Sequence, residues 1–544
     1  MVVKIAVLIA YFVLVLMIGL IARTRWKSPS ETYFLADRKL GTLVLLGTMV
    51  ATNFSAFTVF GTSGAGYREG YAFFPIMGFG TGFMALTFWL LGRKIWQKGR
   101  ERNLVTPPEL VSELYKSRGL SFIFALVMII FTIPYLALQP MAAGYVLEEL
   151  VGLPYVYGCI LVTVIIVLYT LRGGLRAVAW TDLFQGSVMF ILLLASLILV
   201  AGHHGGFIEA NQKVMASWPE LFSRPGGSGK YTAGIWFSYI LLWFFCDPMF
   251  PQLFQRFFSA KTEKDLSRIM LFYPLVCTVV FFMPIAVGVF GRLSFPDLVG
   301  KQADRILPMT LTLISGDAMA ALVMAAGLAA LMSTMDSQLL TLSSIFTHDI
   351  APLFRKTKRQ SSASGRVFVI CLSLAGLALA YNPPATILQI ATQTFTGLAV
   401  LFPTVIFGLY LKKVYAPSAV LSILFGEGVL VLFYLKWITI GVFLPVVWVM
   451  LVTFSVYLLT HAVLRWKERA FSIRRPRWIQ SPYFFMLGGI FVLSMDFWAW
   501  GRSQPAFMGI PMWLGYFILL SAVQTAVMLA WVKAAGREDA SGGR

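Results

Sequence analysis

Long apolar runs, separated by short polar loops, make up most of the chain. Runs of about 18 or more residues start at about fifteen positions, and each run is long enough to cross a bilayer as a helix. The runs begin near residues 4, 41, 71, 119, 153, 177, 232, 269, 307, 365, 386, 417, 440, 484 and 511. This pattern predicts an all-α polytopic membrane protein.

Basic segments follow alternate spans along most of the chain. These segments are "RTRWKS", "RKIWQKGRER", "QRFFSAKTEK", "FRKTKRQ", "LKK" and "RWKERAFSIRRPR". Because short cytoplasmic loops collect Lys and Arg, the segments predict an external N-terminus and a cytoplasmic C-terminus. The expected location is the cell membrane, as a multi-pass protein of the plasma or inner membrane.

The composition excludes several classes of protein. The 544 residues are 58% hydrophobic and 12% charged, with a formal net charge of +20. The positive charge lies in short clusters between apolar runs, so the expected partner is the lipid bilayer and not nucleic acid. No nucleophile–base pair, metal-ligand spacing or nucleotide motif emerges, so we expect neither an enzyme nor an organic cofactor. Protein partners stay unknown at this point.

The stretch "MVATNFSAFTVFGTSGAGY", Met49–Tyr67, places hydroxyls, an amide and glycines inside the second apolar run. Each polar group costs free energy in hydrocarbon unless something pairs with it. Glycine weakens a helix, so the carbonyls of Ala51 to Phe54 could leave the helical ladder and bind a cation. The alternative is a kinked helix whose Ser and Thr side chains bond back to their own turn.

A second polar cluster, "GLAALMSTMDSQLL", lies in the ninth apolar run. Ala330, Ser333 and Thr334 occupy positions i, i+3 and i+4, so one carbonyl and two hydroxyls can point from the same face of one turn. Neutral oxygen ligands without a ring of carboxylates suit a monovalent cation better than calcium. Asp336 is offset by roughly 200° around the helix, so we expect it to pair elsewhere.

Two further segments carry acidic residues at membrane depth. "GGLRAVAWTDLFQ" places Asp182 at the start of the sixth run, where a functional role and a local pairing with Arg176 are both open. "FFCDPMFPQLFQR" contains two prolines that should break the seventh run, with Asp247 beside the break. Broken helices at corresponding positions of two inverted halves are the best sequence indication of a transporter binding site.

At these residues the chain resembles the sodium:solute symporter family, which contains sodium-coupled sugar, proline, pantothenate and sialic acid carriers. The matching segments lie between Tyr33 and Asp349 in the family's order. They are "YFLADRKLG", "ATNFSAF…GTSGAGYREG", "GGLRAVAWTDLFQ", "PQLFQR…SAK" and "AALMSTMDSQLL".

The resemblance implies a leucine-transporter-type bundle of two inverted repeats of five helices, with one extra N-terminal helix and additional C-terminal helices. We expect a single membrane transporter domain over residues 1–544. Its parts are the N-terminal helix (4–40), the first repeat (41–201), the second repeat (232–411), the additional C-terminal helices (412–533) and a polar tail (534–544).

The resemblance also implies roles for individual residues. The shared sodium site of the family corresponds to the carbonyls of Ala51, Phe54 and Ala330 and the hydroxyls of Ser333 and Thr334. Asp182 corresponds to the family's acidic residue on the inward sodium exit route. The residues expected to contact the solute are Ser55, Phe57, Thr58, Phe250, Gln252 and Gln393. Secondary candidates are Asn53, Asp247 and Asp336.

The chain departs from individual branches of the family in two places. Asn53 stands where proline-type carriers have an aspartate, whereas "PQLFQR" looks more like the proline and pantothenate branch than the sugar branch. The last two apolar runs also extend beyond the usual thirteen helices.

The function implied is secondary active symport, in which sodium influx drives the uptake of a small organic solute by alternating access. An amino acid, pantothenate or a monocarboxylate-like solute is favoured. A proton-coupled symporter, a sugar-type sodium symporter and a non-transporting membrane solute sensor stay open as alternatives. The expected ligands are the solute and sodium.

Overall fold

The computed structural model describes residues 1–22, 30–354, 362–439, 441–467, 480–503 and 506–541, and this part of the chain is almost entirely helical. The first eight helices are α1 (Val2–Ile21), α2 (Ser30–Leu35), α3 (Thr42–Asn53), α4 (Thr62–Glu69), α5 (Thr81–Arg102), α6 (Pro107–Tyr115), α7 (Arg118–Val151) and α8 (Tyr155–His203). The next eight are α9 (Phe207–Ser217), α10 (Ala233–Cys246), α11 (Pro251–Ser259), α12 (Glu263–Gly291), α13 (Ile306–Ile314), α14 (Asp317–Ile345), α15 (Ala351–Phe354) and α16 (Ser362–Tyr381).

The remaining elements complete the second predicted repeat and continue beyond it. They are α17 (Ile387–Ala399), α18 (Phe402–Tyr410), α19 (Ala416–Tyr434), α20 (Pro445–Lys467), α21 (Pro482–Leu493), a two-stranded antiparallel hairpin of β1 (Ala506–Phe507) and β2 (Ile510–Pro511), and α22 (Met512–Ser541). The last helix extends to Ser541, so residues 534–541 of the expected polar tail are helical. The sequence "AAGREDAS" continues the helix because Ala, Arg and Glu are good helix formers. The division of the chain into the expected parts stays a prediction.

Eleven helical segments of the described residues are long and apolar enough to cross a membrane, and two bent pairs bring the number to thirteen. The 49 residues of α8 form one helix with a break at Gly174, where φ is 63°. A helix of that size would measure about 74 Å, more than twice the thickness of a bilayer core, so α8 supplies two crossings. Helix α21 has 12 residues and is shorter than a full crossing. The count of about fifteen spans stays a prediction.

Both spans that were predicted to be broken are bent. The segments Thr42–Asn53 and Phe57–Phe73 meet at 59°, and the segments Ala233–Met249 and Pro251–Ser259 meet at 53°. The second break falls at Pro251, which cannot continue the hydrogen-bond ladder of α10. These bends turn backbone groups toward the interior of the bundle at two places.

The glycines after the first break have a different effect from the one expected. The chain leaves the helix at Phe54, before the first of these glycines. A Cβ at Gly66 would lie 2.4 Å from the carbonyl oxygen of Ile285, and a Cβ at Gly288 would lie 2.0 Å from that of Ser63. The glycines therefore allow α4 and α12 to pack with their backbones in contact.

Helix α14 is buried along most of its length, lies at the centre of the bundle and packs against α8, α7, α1 and α3. Its middle turns carry Ala330, Ser333 and Thr334, and α3 ends beside them. The predicted cation residues are therefore in the interior. Three predicted basic segments lie wholly or mostly outside the described residues, at 23–29, 355–361 and 468–479.

Candidate functional site

Two hydroxyls of α14 contact carbonyls at the broken end of α3. Ser333 Oγ donates to the carbonyl of Ala51 at 2.9 Å, and Thr334 Oγ1 donates to the carbonyl of Thr52 at 3.0 Å. The same hydroxyls lie 3.1 and 3.2 Å from the carbonyl of Ala330 on their own helix. Five oxygen atoms from two distant parts of the chain thus meet in one small region.

The carbonyls of α3 can point at α14 because the helix stops there. Phe54 has φ −86° and ψ 90°, which is extended and not helical, so its carbonyl leaves the direction of the helix axis. The N–H of Ala56 would bond to the carbonyl of Thr52 in a continuous helix, but it donates instead to Gln139 Oε1 at 3.2 Å. Gln139 on α7 therefore leaves the Thr52 carbonyl free to accept from Thr334.

This set of groups fits a monovalent cation. All of the oxygens are neutral and hard, and they come from two rigid helices packed side by side. A hydroxyl can rotate its hydrogen away and present a lone pair to an ion, whereas a carbonyl always presents one. Thr52 lies within the range Ala51 to Phe54 whose carbonyls the sequence offered, but it was missing from the set implied by the resemblance. The Phe54 carbonyl, although released from the helix, accepts no hydrogen bond from the described residues of α14.

A buried network of polar side chains lies one helical turn from this region. Arg256 on α11 donates through Nη2 to Ser337 Oγ at 2.6 Å and to Asp182 Oδ2 at 3.3 Å. Thr48 also donates to Asp182, and Thr52 Oγ1 lies 3.2 Å from the same carboxylate oxygen. These five side chains are fully buried.

The partner of Asp182 differs from the one considered in the sequence. Arg176 is exposed, and the cation that pairs with Asp182 is Arg256, on the second half of the broken seventh span. Asp336 pairs away from the predicted cation residues, because it accepts from the hydroxyl of Tyr169 at 2.9 Å. Its offset position on α14 accounts for this difference in direction.

The predicted solute residues Phe57 and Phe250 belong to a buried group of five rings, which we name the aromatic group: Phe57, Tyr135, Trp243, Phe250 and Phe395. Phe395 is at its centre. Its ring centroid lies 4.7 Å from Phe250, 4.8 Å from Tyr135, 5.5 Å from Trp243 and 6.4 Å from Phe57. The two breaks thus face each other across aromatic side chains.

Polar side chains accompany this group. Thr58 Oγ1 and both amide atoms of Gln252 are buried without a hydrogen-bond partner, and so is Nε1 of Trp243. Ser55 Oγ accepts from the N–H of Phe57 at 3.2 Å and stabilises the start of the second half of the span. Buried polar atoms without partners are uncommon and indicate positions where a ligand can bind.

Gln393 lies outside this set of residues. Its side chain is exposed, and its backbone carbonyl accepts from Tyr434 at 2.8 Å. The prediction that Gln393 contacts the solute is therefore not supported by its position. Phe395 faces the interior instead, because two residues along a helix turn the side chain by about 200°.

The secondary candidates Asn53 and Asp247 contact each other. Asn53 Nδ2 donates to Asp247 Oδ2 at 3.3 Å and also to the hydroxyl of Tyr273. Asp247 Oδ1 accepts from Cys246 Sγ at 3.3 Å. Asn53 therefore lies between the predicted cation residues and the break of the seventh span.

Comparisons with known proteins identify the family of the chain. The model of the sodium:solute symporter family matches residues 33–426. The sodium/pantothenate symporter of Escherichia coli is 29% identical over 436 residues, which cover 78% of this chain and 88% of the relative. A sodium/proline symporter of Staphylococcus aureus is 27% identical over 443 residues, which cover 79% and 85%.

Solved structures show the same fold. A Na⁺-coupled sialic acid symporter in a substrate-bound, outward-open state matches with a TM-score of 0.69 at 19% identity, over 84% of this chain and 96% of that one. A nucleobase-cation-symport-1 family transporter in a closed conformation matches with a TM-score of 0.55 at 13% identity, over 84% and 98%. The predicted leucine-transporter-type fold is confirmed. With a family model that matches well over half of its length, the chain belongs to the sodium:solute symporter family.

Proposed function

We propose that this membrane protein couples the inward movement of sodium to the uptake of a small organic solute, and that sodium binds where α3 ends beside α14. Sodium-coupled solute symport follows from the family, and the residues are our assignment. The single observation that carries the assignment is the approach of the Ser333 and Thr334 hydroxyls to the carbonyls of Ala51 and Thr52. The carbonyls of Phe54 and Ala330 complete the proposed ligand set.

The solute would bind between the two breaks. Phe57 and Thr58 from the second span, and Phe250 and Gln252 from the seventh, have the burial and the unpartnered polar atoms that a solute site needs. Ser55 would support this site through its bond to the backbone of Phe57. Because both sites include the bent part of the second span, sodium can stabilise the conformation that binds the solute.

Inward transport is favourable under this mechanism. One positive charge that crosses 100 mV gains about 2.3 kcal/mol, and the sodium gradient adds to this. Sodium must bind the outward, loaded form preferentially, since equal affinity for both forms would shift no population. We assign the N-terminus to the outside and the C-terminus to the cytoplasm of the cell membrane, and we assign the protein to transport and not to catalysis.

The proton-coupled alternative requires a carboxyl group that can gain and lose a proton during transport. Asp182 is a poor candidate, because Arg256 lies 3.3 Å from its carboxylate and stabilises the charged form. Asp182 instead suits a place on the route along which sodium leaves. Asp247 lacks such a partner, so it is the carboxyl group to which uptake that follows pH and ignores sodium would point.

Uptake into proteoliposomes with an imposed sodium gradient tests the proposal. The panel comprises radiolabelled proline, glycine betaine, pantothenate, lactate and glucose. We expect the double variant Ser333→Ala, Thr334→Ala to lose sodium stimulation while the protein stays folded. The matched control is Ser196→Ala, Ser373→Ala, which removes two buried hydroxyls that bond only to their own helices. Undiminished sodium-driven uptake in the first variant, or equal loss in both, would reject the site.

A further inference from the structure

Asp247 is a buried acid without a cation, at the break of the seventh span. The residue is 2% exposed, and the groups that contact its carboxylate are the amide of Asn53 and the thiol of Cys246, both neutral. No lysine, arginine or histidine of the described residues forms an ion pair with it. A charged carboxylate in hydrocarbon costs several kcal/mol unless a positive group compensates it.

Several other buried and half-buried acids in the described residues fall into two groups. Asp182, Asp304 and Asp496 each contact an arginine. Those of the second group lack an arginine in direct contact: hydroxyls bond to Glu69, Asp265, Asp336 and Asp349, and the carboxylate of Glu427 has no hydrogen-bond partner. Among these acids, Asp247 is the one that lies between the proposed sodium and solute residues.

The aromatic group lies directly next to Asp247 along the chain. The N–H of Asp247 donates to the carbonyl of Trp243, one helical turn before it, and the N–H of Phe250 donates to the carbonyl of Asp247 at 3.2 Å. Trp243 and Phe250 both belong to the aromatic group. The faces of aromatic rings attract cations within about 6 Å, and rings arranged around one point recognise ammonium groups.

We propose that the solute carries a positively charged nitrogen, which binds between the Asp247 carboxylate and the faces of the aromatic group. This inference rests on the proposed function, since it identifies the class of solute for the same site. Either an amine or a quaternary ammonium supplies the missing positive charge. The rings are in mutual contact in this conformation, so the solute reaches them when the bundle opens.

The unpartnered polar atoms extend the inference to the rest of the solute. Thr58 Oγ1, Gln252 Nε2 and Trp243 Nε1 can all donate hydrogen bonds, and none of them has a partner. Three hydrogen-bond donors suit a carboxylate group of the solute, because an ionised carboxylate only accepts hydrogen bonds. The solute class is therefore a small zwitterion of the amino acid, imino acid or betaine type. Pantothenate is an anion without a cationic nitrogen, so it would bring a second negative charge to Asp247 and leave the first uncompensated.

Pairs of compounds test this inference on the unaltered protein. In the second compound of each pair, which we call the uncharged analogue, a neutral carbon or oxygen replaces the cationic nitrogen while the carboxylate stays. Glycine betaine is compared with 3,3-dimethylbutanoate, and proline with tetrahydrofuran-2-carboxylate. Each compound is added to the full-length protein in proteoliposomes with an inward sodium gradient, as a radiolabelled solute or as a competitor. We expect sodium-driven uptake of proline or glycine betaine, and at least a tenfold weaker effect of the uncharged analogue.

Variants of Asp247 separate recognition from folding. Asp247→Asn should raise the KM for the zwitterion at least tenfold and remove the preference over the uncharged analogue, with the sodium concentration at half-maximal rate nearly unchanged. Asp247→Glu keeps the charge and should keep the preference. Asp349→Asn is the matched control, because it neutralises a half-buried aspartate whose hydroxyl partner, Thr106, lies away from the aromatic group.

The outcomes also distinguish this inference from the proposed function. Sodium-driven uptake of glucose or pantothenate without competition by proline or glycine betaine would overturn the inference and leave sodium symport standing. Equal potency of a charged compound and its uncharged analogue, or no effect of any ammonium compound, would overturn it as well. Uptake of proline that follows the pH gradient and ignores sodium would overturn the proposed function but not the charge on the solute.

Discussion

Removing Arg256 should destabilise the protein strongly, because this side chain neutralises a buried carboxylate. Its Nη2 atom lies 3.1 Å from Thr48 Oγ1, 3.2 Å from Thr52 Oγ1, 2.6 Å from Ser337 Oγ and 3.3 Å from Asp182 Oδ2. Both members of the ion pair have a solvent exposure of 0%. Arg256→Met keeps much of the volume and removes all of these bonds together with the charge.

The loss of unfolding free energy comes from the buried charge that stays without a partner. Breaking a buried ion pair by removal of one partner costs about 3–5 kcal/mol, since the other charge stays buried without compensation. We expect costs of about this size both for Arg256→Met and for Asp182→Asn. The double variant leaves no unpaired charge, so its cost should fall below the sum of the two by roughly 2 kcal/mol or more.

The measurement is a double-mutant cycle on the free energy of unfolding of the purified protein in mixed detergent micelles. A control cycle uses the pair Lys98 and Glu101, whose side chains are 43% and 58% exposed. An exposed pair of this kind should show a coupling energy below about 1 kcal/mol. Additive effects at Arg256 and Asp182, or single costs no larger than those of the control pair, would show that the buried charges are not coupled as described.

Three other changes test separate parts of the structure. Arg224→Met leaves the buried Asp496 without its cation, so the last two helices should detach more readily, and limited proteolysis of the loop at 223–231 should accelerate by tenfold or more. Gly288→Ala places a Cβ 2.0 Å from a backbone oxygen of the second span and should lower the unfolding free energy by about 1–3 kcal/mol or more, measured against wild type in the same micelles. Although burial raises the pKa of Glu109, hydrogen bonds from His348 and the start of its own helix lower it below the usual 4.5, so this carboxylate stabilises the fold above that pH. That stability should be lost as the pH falls through the lowered pKa, and Glu109→Gln should flatten the pH dependence of thermal unfolding in this range.

Local patterns in the sequence were sufficient for features that lie on one helix. The spacing of Ala330, Ser333 and Thr334 places their oxygens on one turn whatever surrounds the helix, and the structure has them on one face of α14. Pro251 breaks the seventh span because its ring excludes a backbone hydrogen bond in any context. The relative positions of residues on one helix can therefore be predicted without knowing the rest of the fold.

One expectation about position around a helix came from the resemblance and not from the pattern of the helix. Gln393 and Phe395 both lie on α17, and the resemblance gave Gln393 as the solute contact. The structure turns Gln393 outward and places Phe395 at the centre of the aromatic group. Gln389, Thr392 and Gln393 recur at helical spacing along α17, and none of them is buried. The pattern of this helix therefore indicates that Gln393 lies on the outward side, against the expectation from the resemblance.

Hydrogen-bond and ion-pair partners on distant helices could be predicted only in part. The rule that polar groups at membrane depth must be satisfied predicted that Asp182 has a partner, but the nearest basic residue in the sequence was the wrong one. Arg256 lies 74 positions away and reaches Asp182 because α11 is a separate helix after the break. The same rule would have marked Gln139 as an interior residue, since it stands among apolar neighbours. Arg256 was instead assigned to the basic segment "QRFFSAKTEK", whereas the structure buries it fully. Whether a buried polar residue must have a partner can therefore be predicted from the sequence. The identity of the partner depends on which helices are in contact, and the two bends determine those contacts here.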